Sequence, residues 1–129
     1  MTIELKILAW SVLLGILQVL IAGAMGTQQR GLKWNLSNRD GVPKPLTGAA
    51  ARAERASRNF LETFPFFAAV VLAVVVARQT TGHTAIGAQL YFWARLAYFP
   101  IYIIGIAYVR TLVFAVSLWG ILQLAEALL

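Results

Sequence analysis

The sequence predicts an all-α integral membrane protein, a single left-handed four-helix bundle with up-down-up-down topology over residues 1–129. Three observations carry this. Hydrophobic residues make up 60% of the chain and the mean hydropathy is +0.74, outside the range of ordinary soluble domains. The apolar residues fall into four stretches of membrane-span length, at about 5–29, 50–78, 85–106 and 108–128. Seven of the eleven Lys and Arg lie between Arg30 and Arg58, so the net charge of +6 is concentrated in one part of the chain. That clustering beside apolar spans reads as positive-inside bias and argues against a nucleic-acid surface.

The first span is carried by residues 7–29, 23 positions without a charge between Lys6 and Arg30. The flank is mixed, with Glu4 and Lys6, and the apolar run is longer than a signal-peptide core, so a retained span is expected. Ala22 and Gly26 offer a small-residue contact for a neighbouring helix. Residues 30–49 form a polar loop, in which Pro43, Pro45 and Gly41 rule out one continuous helix. Trp34 fits an interfacial anchor, Asp40 a turn former in NRDG, and Thr47 or Gly48 a cap for the next helix. As the one long loop, it is the natural lid.

The second span begins polar, and its uncharged part, Thr63–Ala77, is only 15 residues, so the helix is expected to project beyond the membrane. Pro65 removes the hydrogen bond to the Leu61 carbonyl and predicts a kink beside Glu62. After the turn QTTGHT, the third span carries Arg95 at its middle and Pro100 as an interruption. Gly105 permits the reversal into the fourth span, which opens with Arg110. The loop charges place the first loop, and with it the arginine-rich ends, on the cytoplasmic side, with both termini opposite.

Polar groups at membrane depth mark the candidate site. Arg52, Arg55, Asn59 and Glu62 share one helical face at i, i+3, i+7 and i+10, and Arg58 and Glu62 form an i, i+4 pair beside it. Arg95, Tyr98 and Tyr102 share a face of the third span. With Arg110 and Thr111 the set holds five arginines against one glutamate, and an ion at membrane depth needs a partner. An anion is the expected partner, because guanidinium forks bind carboxylates, while Glu62 suits an ammonium. The implied ligand is a small zwitterion with more than one carboxylate. Cys is absent and His83 is the single histidine, which excludes a thiolate or histidine metal cluster and most catalytic triads. No glycine-rich phosphate loop, HExxH or GxSxG motif is present.

Two segments, RASRNFLETFPFF at Arg55–Phe67 and RLAYFPIYIIGIAYVRT at Arg95–Thr111, resemble the MAPEG family, the membrane-associated proteins in eicosanoid and glutathione metabolism. The resemblance runs from the first span to the fourth and is greatest to small microbial members. It implies a homotrimer with glutathione bound between neighbouring subunits. It implies that Arg52, Arg55, Arg58, Asn59, Glu62, Arg95, Tyr98 and Tyr102 hold glutathione, with Arg30 as a further contact. It implies that Arg110 lies by the glutathione sulfur, with Thr111 beside it, and it loosely matches Asp40 to an acidic loop residue. The interval between Tyr102 and Arg110 differs from that of the leukotriene-synthase-like and prostaglandin-synthase-like branches, and Tyr98 stands where some members have His. The expected function is that of a glutathione-dependent transferase or peroxidase, with isomerase activity also in scope. Its thiolate attacks a lipophilic electrophile or hydroperoxide reached past Leu13, Val113 and Phe114. Membrane lipid and further copies of the chain are the other expected partners, and a bacterial inner membrane the expected location. The alternative is a non-catalytic scaffold, or a lipid- or glutathione-binding protein of the same fold. A small multidrug exporter is disfavoured, because residues 7–29 contain no acid.

Overall fold

A computed structural model describes all of residues 1–129. Its regular elements are all helices: α1 Ile3–Arg30, α2 Leu32–Leu36, α3 Gly48–Val76, α4 Gly82–Ile104 and α5 Ala107–Glu126. The long helices start one to three residues before the positions the apolar pattern marks, and for two of them the reason is a polar cap. Thr2 accepts from the Leu5 amide at 3.3 Å at the start of α1. Thr81 and Thr84 form a reciprocal capping box at the start of α4. The polar loop contains one short helix, α2, between Gly31 and Ser37.

Three helices, α1, α3 and α5, are long and apolar enough to cross a membrane. The third expected span, α4, is long enough but less apolar. Gln89, Arg95 and a succession of Tyr and Trp residues lower its hydropathy. Pro65 and Pro100 do not divide their helices: α3 and α4 run through them, so the interruption expected at Pro100 is absent. A single proline removes one backbone bond, and the turns on either side remain paired.

Contacts fix the arrangement. Gly15 of α1 lies against the Phe60 ring of α3, and Ala22 packs with Ala53 and Ala56, so α1 and α3 are antiparallel. Thr63 and Tyr91 share a 3.1 Å hydrogen bond, and Arg52 reaches Ile103, so α3 and α4 are antiparallel too. The most extensive packing is that of α4 on α5. There Gly87 and Gly120 face each other across a backbone approach: a Cβ on Gly87 would lie 2.8 Å from the Gly120 carbonyl oxygen. Small residues of this kind let helices close in lipid, where no hydrophobic force drives them together. α1 and α5 do not approach closely.

The core has two parts. The larger joins Leu14, Phe60, Phe67, Val71, Val74, Ala88, Tyr91, Ile121 and Leu124, with the Phe67 and Tyr91 rings stacked at 4.0 Å. The smaller, Ala22, Ala53, Ala56, Tyr98 and Phe99, lies toward the arginine-rich end. At the other end Thr84 donates to the buried carboxylate of Glu4 at 2.7 Å, tying α1 to α4. The ends of α1 and α4 and the starts of α3 and α5 therefore share one end of the molecule, where the first loop joins α1 to α3.

Candidate functional site

Helical periodicity on α3 puts Arg55, Arg58, Asn59 and Glu62 on one face, and that face meets α4 and α5 across a pocket of about 380 Å³. Tyr98 and Tyr102 enter from α4, and Arg110, Thr111 and Phe114 from α5. The αL turn at Gly105 (φ 95°) reverses the chain so that the end of α4 and the start of α5 meet in this pocket.

Tyr102 is its hinge pin. The Arg55 Nε–H donates to the Tyr102 hydroxyl at 3.2 Å, and the Arg110 guanidinium lies 4.5 Å from the centre of the same ring. One aromatic ring thus holds two guanidinium groups from α3 and α5. Tyr98 meets Tyr102 edge-on at 5.6 Å and Phe114 at 6.1 Å, closing the apolar wall. The charges facing the pocket are Arg55, Arg58 and Arg110 against Glu62, three positive and one negative, a net of +2. Such a pocket favours an anion carrying one cationic group.

The other residues singled out by the sequence are placed differently. Arg58 pairs with Glu54 at 2.7 Å, not with Glu62. Glu54 precedes Arg58 by four residues, the order that suits the helix dipole, whereas Glu62 follows it. Glu62 is left unpaired in the pocket. The Arg52 Nε–H donates to the Ile103 carbonyl at 2.8 Å, capping the carboxyl end of α4, and Arg52 does not line the pocket. Arg30 donates to the Lys44 carbonyl and faces a second pocket, about 500 Å³, between α1, α2 and α3. Arg95 is enclosed behind Tyr98 and Phe114, with 1% of its surface exposed. The Thr111 hydroxyl donates to the Ala107 carbonyl at 3.3 Å, so in this rotamer it is an acceptor toward the pocket. Asp40 is exposed in the loop and His83 lies at the opposite end. Val113 faces a separate apolar groove of about 340 Å³ between α4 and α5, and Leu13 is exposed on α1 and lines neither pocket. No group of acids and histidines is arranged to hold a metal ion.

Sequence reasoning missed two features. The Glu54–Arg58 pair was readable from its spacing. The second pocket, where Trp34, Asn35, Arg39, Glu54 and Ser57 join Arg30, was foreshadowed only by the small residues Ala22 and Gly26 of α1, which line it together with Gly23.

Compared with known protein families, the chain matches the MAPEG family over residues 7–129. No curated protein matches it.

Proposed function

The chain belongs to the MAPEG family, and on that premise we propose that it is a membrane-bound glutathione-dependent transferase or peroxidase. Family membership supports glutathione-related chemistry of this general type in an integral membrane protein, and the three apolar helices agree with a membrane location. The observation that carries the finer reading is the charge arrangement of the pocket between α3, α4 and α5. Three guanidinium groups and one carboxylate, a net of +2, match the two carboxylates, thiolate and ammonium of ionised glutathione, a net of −2. Arg55 and Arg58 suit the carboxylates, Glu62 the ammonium, and Arg110 the sulfur.

A free thiol has a pKa of about 8.5, and its thiolate is the nucleophile. Arg110, half-buried and stacked on Tyr102, supplies positive charge where sulfur becomes negative. Water is excluded on one side by Tyr98 and Phe114, which strengthens that interaction. The thiolate then attacks a lipophilic electrophile or hydroperoxide arriving from the membrane. Phe114 borders the pocket on its apolar side, the side from which such a partner enters. Thr111 serves by accepting a hydrogen bond unless its hydroxyl turns away from Ala107.

Arg30 and Arg110 face different pockets of one chain. A homotrimer of four-helix subunits, with the α1–α3 pocket of one subunit set against the α3–α5 pocket of the next, brings both to one ligand. This is the assembly that the family resemblance implies. The positive charge of the first loop supports placing it on the cytoplasmic side, and a bacterial inner membrane is the location we propose.

The test is stopped-flow ultraviolet absorbance of detergent-purified protein mixed with glutathione, which reports thiolate formation. A saturable signal, with binding weakened about tenfold in Glu62→Gln, is expected for an ammonium contact worth about 1.4 kcal/mol. Binding by calorimetry without any thiolate signal would replace the enzyme by the non-catalytic binding protein. Neither binding nor signal would remove glutathione from the site.

A further inference from the structure

Arg95 is the largest fully enclosed side chain in the molecule. Its Nε, Nη1 and Nη2 are all shut off from solvent, and none has a hydrogen-bond partner. No carboxylate lies within ion-pair distance, since the one ion pair in the chain is Arg58–Glu54. Three buried side-chain oxygens, Gln18 Oε1, Asn59 Oδ1 and Gln123 Oε1, are likewise without partners, so none bonds to Arg95. Its neighbours are ring faces: Cζ lies 4.2 Å from the centre of Tyr98, 5.5 Å from Phe60 and 5.8 Å from Phe114.

Three rings attract a cation but bring no net negative charge. A guanidinium has five N–H donors and no acceptor, and in a low-dielectric interior an unanswered charge of this kind is strongly unfavourable. It is also poorly screened. Water and salt damp the fields of the exposed Arg55 and Arg58, whereas the field of Arg95 passes through apolar material. Two of its three rings, Tyr98 and Phe114, are the pocket wall, so that field is directed into the pocket.

We propose that Arg95 is a positioning residue that acts on the pocket through the Tyr98 and Phe114 wall, its charge answered by the anion the pocket takes up and never touched by it. The inference rests on the reading of this pocket as an anion site. It adds a source of positive potential that is not in contact with the ligand. It also adds a mechanical role: Arg95 fixes the ring of Tyr98, which abuts Tyr102, the residue holding Arg55 and Arg110.

The chain has no cysteine, so Thr111→Cys places a single thiol at the pocket. The probes are two methanethiosulfonate reagents of similar size, one bearing a sulfonate and one a trimethylammonium group. The ratio of their reaction rates reports the local potential without glutathione. Adding Arg95→Met is expected to lower the anionic-to-cationic ratio about tenfold, while Arg95→Lys, which keeps the charge, leaves it within about threefold. An unchanged ratio in Arg95→Met protein that melts like its parent overturns the proposal. If the Met variant does not fold, Arg95→Gln is the second neutral variant and is read the same way. A protein that binds no glutathione yet shows the tenfold fall overturns the proposed reaction and leaves the role of Arg95 standing.

Discussion

The two ends of this molecule treat buried charge in opposite ways. At the Glu4 end a carboxylate that is 3% exposed has a 2.7 Å donor in Thr84, the helix beyond is closed by a capping box, and α4 and α5 touch at Gly87 and Gly120. At the Arg110 end three guanidinium groups face one carboxylate, and a fourth, Arg95, has neither a hydrogen-bond nor an ion-pair partner. A helix bundle that only needed to fold would pair its ions at both ends. The asymmetry fits the proposed function, in which one end serves assembly of the fold and the other receives glutathione. It also says where substitutions will act on stability and where on chemistry.

The largest effect expected is on the ligand end. Arg110→Ala should lower turnover about 100- to 1000-fold, the range for losing one donor to a developing anion. Glutathione binding should remain measurable by calorimetry and the melting temperature should be near that of the parent, because Arg110 contributes a single ring contact to the fold. Full conjugation or peroxidase rates in this variant would take the sulfur away from Arg110. The counterpart at the other end is Gly120→Leu. A Cβ there would collide with the Gly87 carbonyl and lie 2.9 Å from the Tyr91 amide, and backbone cannot move aside as a side chain can. The expected cost is about 3 kcal/mol or more, read as loss of monodisperse protein in detergent. A soluble, folded Gly120→Leu protein would mean that α4 and α5 do not close on glycine.

How much of this could be read from the chain follows the same division. Long-range order came through well. Apolar runs mark the four long helices to within a few residues, because in lipid a helix must extend as far as its apolar surface. The face shared by Arg55, Asn59 and Glu62 was legible, because helical spacing alone sets it. The grouping of Tyr98 and Tyr102 with Arg110 was legible only as a list. What spacing does not contain is which of two equal neighbours a side chain chooses. Arg58 had acids four residues away on both sides and took Glu54. Arg52 shares the face of Arg55 yet turns to the Ile103 carbonyl, because the carboxyl end of α4 happens to stop beside it. Arg95 lies in register with Tyr98 and Tyr102, but its position behind the wall depends on Phe60 and Phe114, residues from two other helices. The Gly87–Gly120 approach joins two helices by positions 33 residues apart, and no local pattern announces it.

A smaller, sharper comparison uses the two unlike carboxylates. Glu4→Leu removes one acceptor of the Thr84 hydroxyl, which keeps the Thr81 carbonyl at 2.8 Å, and should destabilise the protein by about 1 kcal/mol, with glutathione affinity unchanged. Thermal unfolding in detergent with parallel calorimetry checks it. A loss of affinity without a loss of stability would show that the two ends communicate, and the separation of roles argued above would fail.

The smallest expected effect falls on Glu54. Its ion pair with Arg58 is short, but the two side chains are 37% and 65% exposed, and exposed pairs contribute between nothing and about 1 kcal/mol. Glu54→Gln should therefore leave the melting temperature almost unmoved. Its informative consequence lies elsewhere. Arg58 lines both pockets, whereas Glu54 lines only the one between α1 and α3, so the pair draws the guanidinium toward that side. Releasing it makes Arg58 more available to an anion beside Arg55. Glutathione affinity should then be unchanged or rise by up to about threefold, an effect that fades with salt as exposed electrostatics do. Affinity that instead falls would mean that the Glu54–Arg58 pair is the arrangement the ligand uses, with Arg58 held for the pocket between α1 and α3.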